Sequence, residues 1–254
     1  MGEFSGRVAV VTGGSGGIGA AVAHDLSHSG AHVVILGRND DTGQQVVDAI
    51  NDSGGSSEFV SADVSESASV DDAVNAVVTR LGRCDIAVNS AGIFDRMHSF
   101  GSYADAQWDE IINVNLSGVF RCLRAELRVM AGTGGAIVNI GSTVAHRGSE
   151  RASPGYVAAK HAVLGLTRQA ALETPSSGVR VNSVSPGPTD TAMAAPLIAE
   201  GPEAVQAAIT PLNPMGDFID PARVAAAVHF LCSDAAADIT GHDRILDGGQ
   251  LARL

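Results

Sequence analysis

Tyr156 and Lys160 stand four residues apart in Tyr156-Val-Ala-Ala-Lys160, and Ser142 lies upstream at the end of an apolar run. If residues 156–172 are helical, Tyr156 and Lys160 share one face, because positions i and i+4 are neighbours there. A free phenol titrates near about 10, and a nearby cation favours its ionised form. The pair therefore offers a proton donor and acceptor usable near neutral pH, with the Ser142 hydroxyl as a third polar group. The same spacing also fits a surface Lys beside a half-buried Tyr. The elements that carry the pair decide between the two readings.

The chain has 254 residues, 45% hydrophobic and 17% charged, enough for a sizeable core. Its net charge of −12 argues against nucleic acid and anionic membranes as partners. Cys84, Cys122 and Cys232 are odd in number and widely spaced. They suggest neither a disulfide framework nor a metal knuckle, and reduced buried thiols in a cytoplasmic protein are expected. The eight histidines form no ligand-spaced pair near Cys or acidic groups, so no metal is expected. The N-terminus shows no targeting pattern, and no apolar run is long enough to span a bilayer.

Short apolar runs alternate with longer amphipathic or Ala-rich segments. Strands are predicted at 7–12, 32–36, 59–62, 84–89, 136–140, 179–184 and 244–246. Helices are predicted at 17–29, 41–52, 67–81, 105–130, 155–172 and 221–232. The strand runs are continuously apolar, as in Val8-Ala-Val-Val11, which is the pattern of strands buried on both faces of a parallel sheet. The alternation gives an α/β fold, a single Rossmann-type doubly wound parallel sheet flanked by helices. Two stretches break the rhythm: 143–154, with His146, Arg147 and Arg151, and the proline-rich 189–218. Both follow strands, where such sheets place ligands, and 189–218 is expected to be a lid over the substrate.

Thr12-Gly-Gly-Ser-Gly-Gly-Ile-Gly19 joins the first strand to the first helix. Glycines there let backbone approach a pyrophosphate, and the helix N-terminus supplies free N–H groups. Gly13, Ser15, Gly17, Ile18 and Gly19 are the expected contacts. The second strand ends Leu36-Gly37-Arg38-Asn39, where an acidic residue would hold a ribose hydroxyl and an Arg suits a 2′-phosphate. Arg38 therefore favours NADP(H), with NAD(H) as the alternative if Arg38 instead pairs with Asp40 or Asp41.

In order and spacing, these residues resemble the classical short-chain dehydrogenase/reductase family, over almost the whole chain. The carrying motifs are Thr12–Gly19, Asp63-Val64, Asn89-Ser-Ala-Gly92, Asn113-Val-Asn115-Leu, the set Ser142, Tyr156 and Lys160, Pro186-Gly187, and Asp247-Gly-Gly249. Ser90 departs from the usual second Asn, and Gly16 lacks the basic residue that many NADP-preferring members carry. The resemblance implies hydride transfer between a nicotinamide and a carbonyl or secondary alcohol, with 3-oxoacyl or polyketide-like ketones among the substrates. It implies Asn115, Ser142, Tyr156 and Lys160 as the catalytic set. It adds Asn39, Asp63, Val64, Asn89, Ala91, Gly92, Pro186, Gly187, Thr189 and Thr191 to the cofactor contacts, with Tyr156 and Lys160 serving there too, Lys160 on the nicotinamide ribose hydroxyls. Asn115 would hold a water that relays protons from Lys160.

Further expectations concern substrate and assembly. Arg96, His146, Arg147 or Arg151 would hold a substrate carboxylate or phosphate, unless they are solvated loop charges. Met193, Leu197, Ile198, Leu212 and Met215 would line the lid. Arg121, Arg124 and Arg128 offer a docking face for a carrier protein. Apolar residues spread around the helices at 105–130 and 155–172 imply a homotetramer. The competing classes are a nucleotide-sensing scaffold and a non-redox enzyme on the same fold.

Overall fold

A computed structural model of the chain describes residues 2–95, 98–192 and 194–253. In chain order the elements are β1 (Val8–Thr12), α1 (Gly17–His28), β2 (His32–Gly37), α2 (Asp40–Asp52), β3 (Ser56–Ser61), α3 (Ser67–Leu81) and β4 (Ile86–Asn89). There follow α4 (Asp105–Ile112), α5 (Gly118–Met130), β5 (Gly135–Ile140), α6 (Pro154–Glu173) and β6 (Val179–Pro186). The chain ends with α7 (Ala195–Ile198), α8 (Pro202–Ile209), α9 (Pro221–Cys232) and β7 (Asp243–Leu246).

The strands form one parallel sheet in the order β3-β2-β1-β4-β5-β6-β7. Successive β1 side chains enter opposite cores. Ala9 and Val11 pack with residues of α1, α2 and α9, whereas Val8 and Val10 pack with residues of α3, α5 and α6. Both faces are covered, which is why the strands read as unbroken apolar runs. Each fully buried Val or Leu adds roughly 1.5–3 kcal/mol relative to exposure. The chain winds outward from β1 to β3, then crosses back to β4. This reversal opens a crevice at the C-terminal ends of β1 and β4, where the Gly13–Gly19 loop and Ala91-Gly92 emerge.

Residues 105–130 do not form the continuous helix that periodicity predicts. A π-helical turn at Asn113–Ser117 separates α4 from α5. The Asn115 side chain is fully buried and makes two bonds to the Ile93 backbone, donating to its carbonyl at 2.7 Å and accepting from its N–H at 2.8 Å. The widened turn places Asn115 where this tie can form.

A buried polar chain crosses the sheet beneath the crevice. Register pairs Asn89 with Asn139. Asn89 Nδ2 donates to Asn139 Oδ1 at 3.0 Å and to Glu126 Oε2 at 2.9 Å, and Asn139 Nδ2 donates to Thr167 Oγ1 at 2.9 Å. Glu126 is fully buried, and its burial pushes the carboxyl up to about 7 despite the Asn89 bond. In the unfolded chain the Glu126 carboxyl ionises near 4.5, so between these values the folded state holds the extra proton. Stability should therefore fall as pH rises from about 4.5 through about 7, by on the order of 3 kcal/mol. Chemical denaturation of Glu126→Gln should show that component of the pH dependence abolished, with the variant the more stable form at pH 8.

Candidate active site

The crevice encloses about 880 Å³. At one end Gly13 adopts φ 66°, a region that costs other residues strain. A Cβ there would lie 2.7 Å from the Ala91 backbone. A Cβ on Gly19 would lie 2.2 Å from the Gly13 carbonyl oxygen, so Gly19 seats α1 against the loop rather than lining the crevice. The N-terminus of α1 has no side-chain cap and no acidic residue in its first turn. Its leading N–H groups and dipole are left to face an anionic ligand.

Arg38 lines the crevice beyond this loop and makes no ion pair with Asp40 or Asp41 among the described residues. Asn39 turns away and caps α2, accepting from Thr42 N–H at 3.0 Å. Asp63 lines the wall and accepts from the Ser65 N–H and hydroxyl at 2.8 and 2.7 Å. Burial opposes its charge, but the Ser65 bonds, with Arg38 and Arg121 nearby, hold its carboxyl below the ordinary value.

At the other end α6 starts cleanly at Pro154. Ser153 caps it, its Oγ accepting from Tyr156 N–H at 3.1 Å, and proline suits the first helical position. One helical turn then carries Tyr156 and Lys160 to the same wall, joined by Ser142 just beyond β5. Lys160 Nζ lies 5.7 Å from the Tyr156 ring centroid and donates to the Ile140 carbonyl at 2.8 Å. The edge of Phe94 meets the Tyr156 ring at 5.0 Å and 84°.

The electrostatics differ from the expectation of a cation-lowered phenol. Burial pushes Tyr156 up to about 12, with the Ser142 hydroxyl working the other way. Burial also lowers Lys160 to about 8. Desolvation outweighs the neighbouring ammonium, whose hydrogen bond points to Ile140. The Tyr156 ring keeps part of its surface open to the crevice, which tempers the rise.

Of the expected residues, Gly13, Ser15, Gly17, Ile18, Arg38, Asp63, Val64, Ala91, Gly92, Ser142, Tyr156, Lys160, Pro186, Gly187, Thr189 and Thr191 line this one crevice. Gly19, Asn39, Asn89 and Asn115 do not. Asn89 belongs to the buried chain with Glu126, and Asn115 braces Ile93 from behind. Leu197 and Leu212 line the crevice as expected of the lid, but Ile198 and Met215 are exposed away from it; Met193 and Arg96 lie outside the described residues. Ile209 and Phe218 take the vacant apolar places. Arg121 is spent on the Val64 and Asn113 carbonyls and the Asn113 side chain, and Arg124 and Arg128 pair with Asp71. These pairings leave little of the expected docking face.

A family model described as enoyl-(acyl carrier protein) reductase matches residues 13–250. The chain belongs to the short-chain dehydrogenase/reductase family. One relative in this family, cis-4-hydroxycyclohexanecarboxylate dehydrogenase of Sinomonas cyclohexanicum, is 40% identical over 254 residues, covering 99% of this chain and 100% of its own. Cyclohexanol dehydrogenase of an Acinetobacter species is 38% identical over 252 residues, covering 99% and 97%. A variant of actinorhodin polyketide ketoreductase, solved with NADPH, superposes with a TM-score of 0.91 at 32% identity, covering 98% of this chain and 99% of its own. The seven-stranded parallel sheet is the family's fold, and the chain is an oxidoreductase of alcohol and ketone groups.

Members of the family bind nicotinamide cofactors, and this crevice fits one: an uncapped helix N-terminus, a glycine cradle that a Cβ would fill, and a cationic far end. Gln250 also lines the crevice, buried, with its Oε1 lacking a protein partner. No spacing rule points to it. Only the return of the chain after β7 brings it beside Gly187.

Proposed function

We propose that the protein interconverts a compact, largely apolar secondary alcohol and its ketone with NADP(H). The observation that carries this reading is the convergence of Ser142, Tyr156 and Lys160 on the crevice whose other end holds Arg38 and the bare N-terminus of α1. The nicotinamide, when bound, supplies or accepts the hydride. In reduction, Tyr156 Oη gives its proton to the carbonyl oxygen, and in oxidation it takes the proton back. The Ser142 hydroxyl hydrogen-bonds that oxygen as its charge develops. The Lys160 ammonium favours the phenolate that protonation of the product leaves behind.

Phe94, Val144, Leu197, Ile209, Leu212 and Phe218 give the substrate end apolar walls, and segment 189–218 serves as its lid. Such walls suit a carbocycle like those named in the two dehydrogenase relatives, whose substrates differ by a carboxylate. Asn115, by bracing Ile93, keeps the wall opposite Tyr156 in place.

Arg38 supports NADP(H) because its fork can hold a 2′-phosphate. Arg38→Ala should weaken NADPH binding by roughly ten- to a hundredfold and leave NADH within about twofold. Titration by nicotinamide fluorescence reads this directly, and tight NADH binding with no NADPH preference in the native protein would sink the assignment.

Trp108 and Phe120 are large apolar side chains left 39% and 47% exposed on α4 and α5. They support a homotetramer built on these helices, and a monomer in light scattering would refute it. Buried free cysteines suit a reducing cytoplasm. Among the described residues no helix is long and apolar enough to cross a membrane.

A further inference from the structure

We infer that Arg151 reads a negative charge on the substrate, so that the preferred substrates are anionic alicyclic alcohols or ketones. The inference rests on the proposed alcohol–ketone chemistry and adds to it the substrate's charge. Among the described residues two arginines line the crevice, Arg38 at the loop end and Arg151 at the substrate end. Of the other candidate loop cations, Arg96 lies outside the described residues and the remaining two are otherwise placed. His146 is bound to Asp243, with Nε2 2.7 Å from Oδ2, and Arg147 does not reach the crevice wall.

The Arg151 backbone is fixed while its side chain is not. Ser149 Oγ accepts from the N–H groups of Arg151 and Ala152 at 3.1 and 3.2 Å. Two residues later Ser153 caps α6, and its hydroxyl is bound to Asp95, which also accepts from Tyr103 Oη at 2.6 Å. The turn is thus held at both ends, five residues before Tyr156. Among the described residues the Arg151 guanidinium has no hydrogen-bond or ion-pair partner.

A planar fork at the open rim of an apolar pocket matches a carboxylate bidentately. The charge stays near solvent, so an anion held there is not stripped of all its water. The apolar ring of the substrate then occupies the walls next to Tyr156. Glu200, on the lid side, is the one acidic side chain at this end of the crevice among the described residues. It disfavours an anion that is not engaged by Arg151, which sharpens selection for a carboxylate placed at the arginine.

The test compares cyclohexanone with 4-oxocyclohexanecarboxylate as substrates, and measures binding of unreactive cyclohexanecarboxylate by calorimetry on the full-length protein with cofactor. Arg151→Ala should lower kcat/KM for the keto acid by roughly ten- to thirtyfold, chiefly through KM, and leave cyclohexanone within about twofold. Arg151→Lys should fall between the two. Cyclohexanecarboxylate should bind the native protein and lose a similar factor in Arg151→Ala. Equal effects on both ketones, or anion binding indifferent to Arg151, overturn the inference, as does native protein that does not bind the anion. Anion binding that depends on Arg151 without turnover of either ketone would leave the inference standing and fail the proposed chemistry instead.

Discussion

Tyr156→Phe should bind NADPH normally and reduce ketones about 10²–10⁴ times more slowly, the usual contribution of a placed acid or base. The substitution removes one oxygen and keeps the ring. The edge contact with Phe94 and the Ser153 cap of α6 therefore persist, and the fold has no reason to change. The loss should fall on kcat, because the phenol donates its proton only as charge develops on the substrate oxygen. Direction matters as well. Burial pushes Tyr156 up to about 12, so it is protonated and ready for reduction throughout the working range. Alcohol oxidation needs the phenolate and should quicken as pH rises. Stopped-flow measurement of both directions in native and Phe variants would check this, and an unchanged kcat in the variant would remove Tyr156 from the chemistry.

Lys160→Ala should cost at least about a hundredfold in kcat/KM for reduction. Its ammonium lies 5.7 Å from the Tyr156 ring centroid and is held against Ile140, where it can stabilise the phenolate formed during turnover. Removing it leaves the Ile140 carbonyl without this donor but also relieves a buried charge, so the folded state should survive. With Lys160 lowered to about 8, its charge is present below that value and lost above it. The native reduction rate should accordingly be level through neutral pH and decline above about pH 8. Lys160→Arg, charged at every accessible pH, should be slower but lack that decline. A falling limb that persists in both variants would assign it to another group.

The layout of the fold was legible because buried parallel strands carry an uninterrupted apolar signal. Val8–Thr12 and His32–Gly37 were recognisable within a residue or so. The break at Asn113–Ser117 was not. The turn serves a tie from Asn115 to Ile93, more than twenty positions away, and no helical periodicity records that. Tyr156, Lys160 and Ser142 could be found because they fall on one helical turn and one strand end. Asn89 sat in a recognisable motif, yet its side chain turned to Glu126, since which face a strand's last residue presents depends on its neighbours in the sheet. Tyr156's raised pKa was equally hidden. Sequence shows the nearby lysine, but only packing shows how much water is excluded from both groups. Gln250 depended on a long-range event, the closure of the C-terminal segment over Gly187.

The central claim is that this crevice moves a hydride between a nicotinamide and a carbonyl carbon, with Tyr156 handling the proton. Incubation with NADPH deuterated at the transferring carbon, followed by mass spectrometry of the alcohol formed from cyclohexanone or 4-oxocyclohexanecarboxylate, tests it most directly. The account predicts one deuterium on the carbinol carbon with the native protein and almost none with Tyr156→Phe over the same interval. Alcohol formed without deuterium, or equal labelling by the Phe variant, would contradict it.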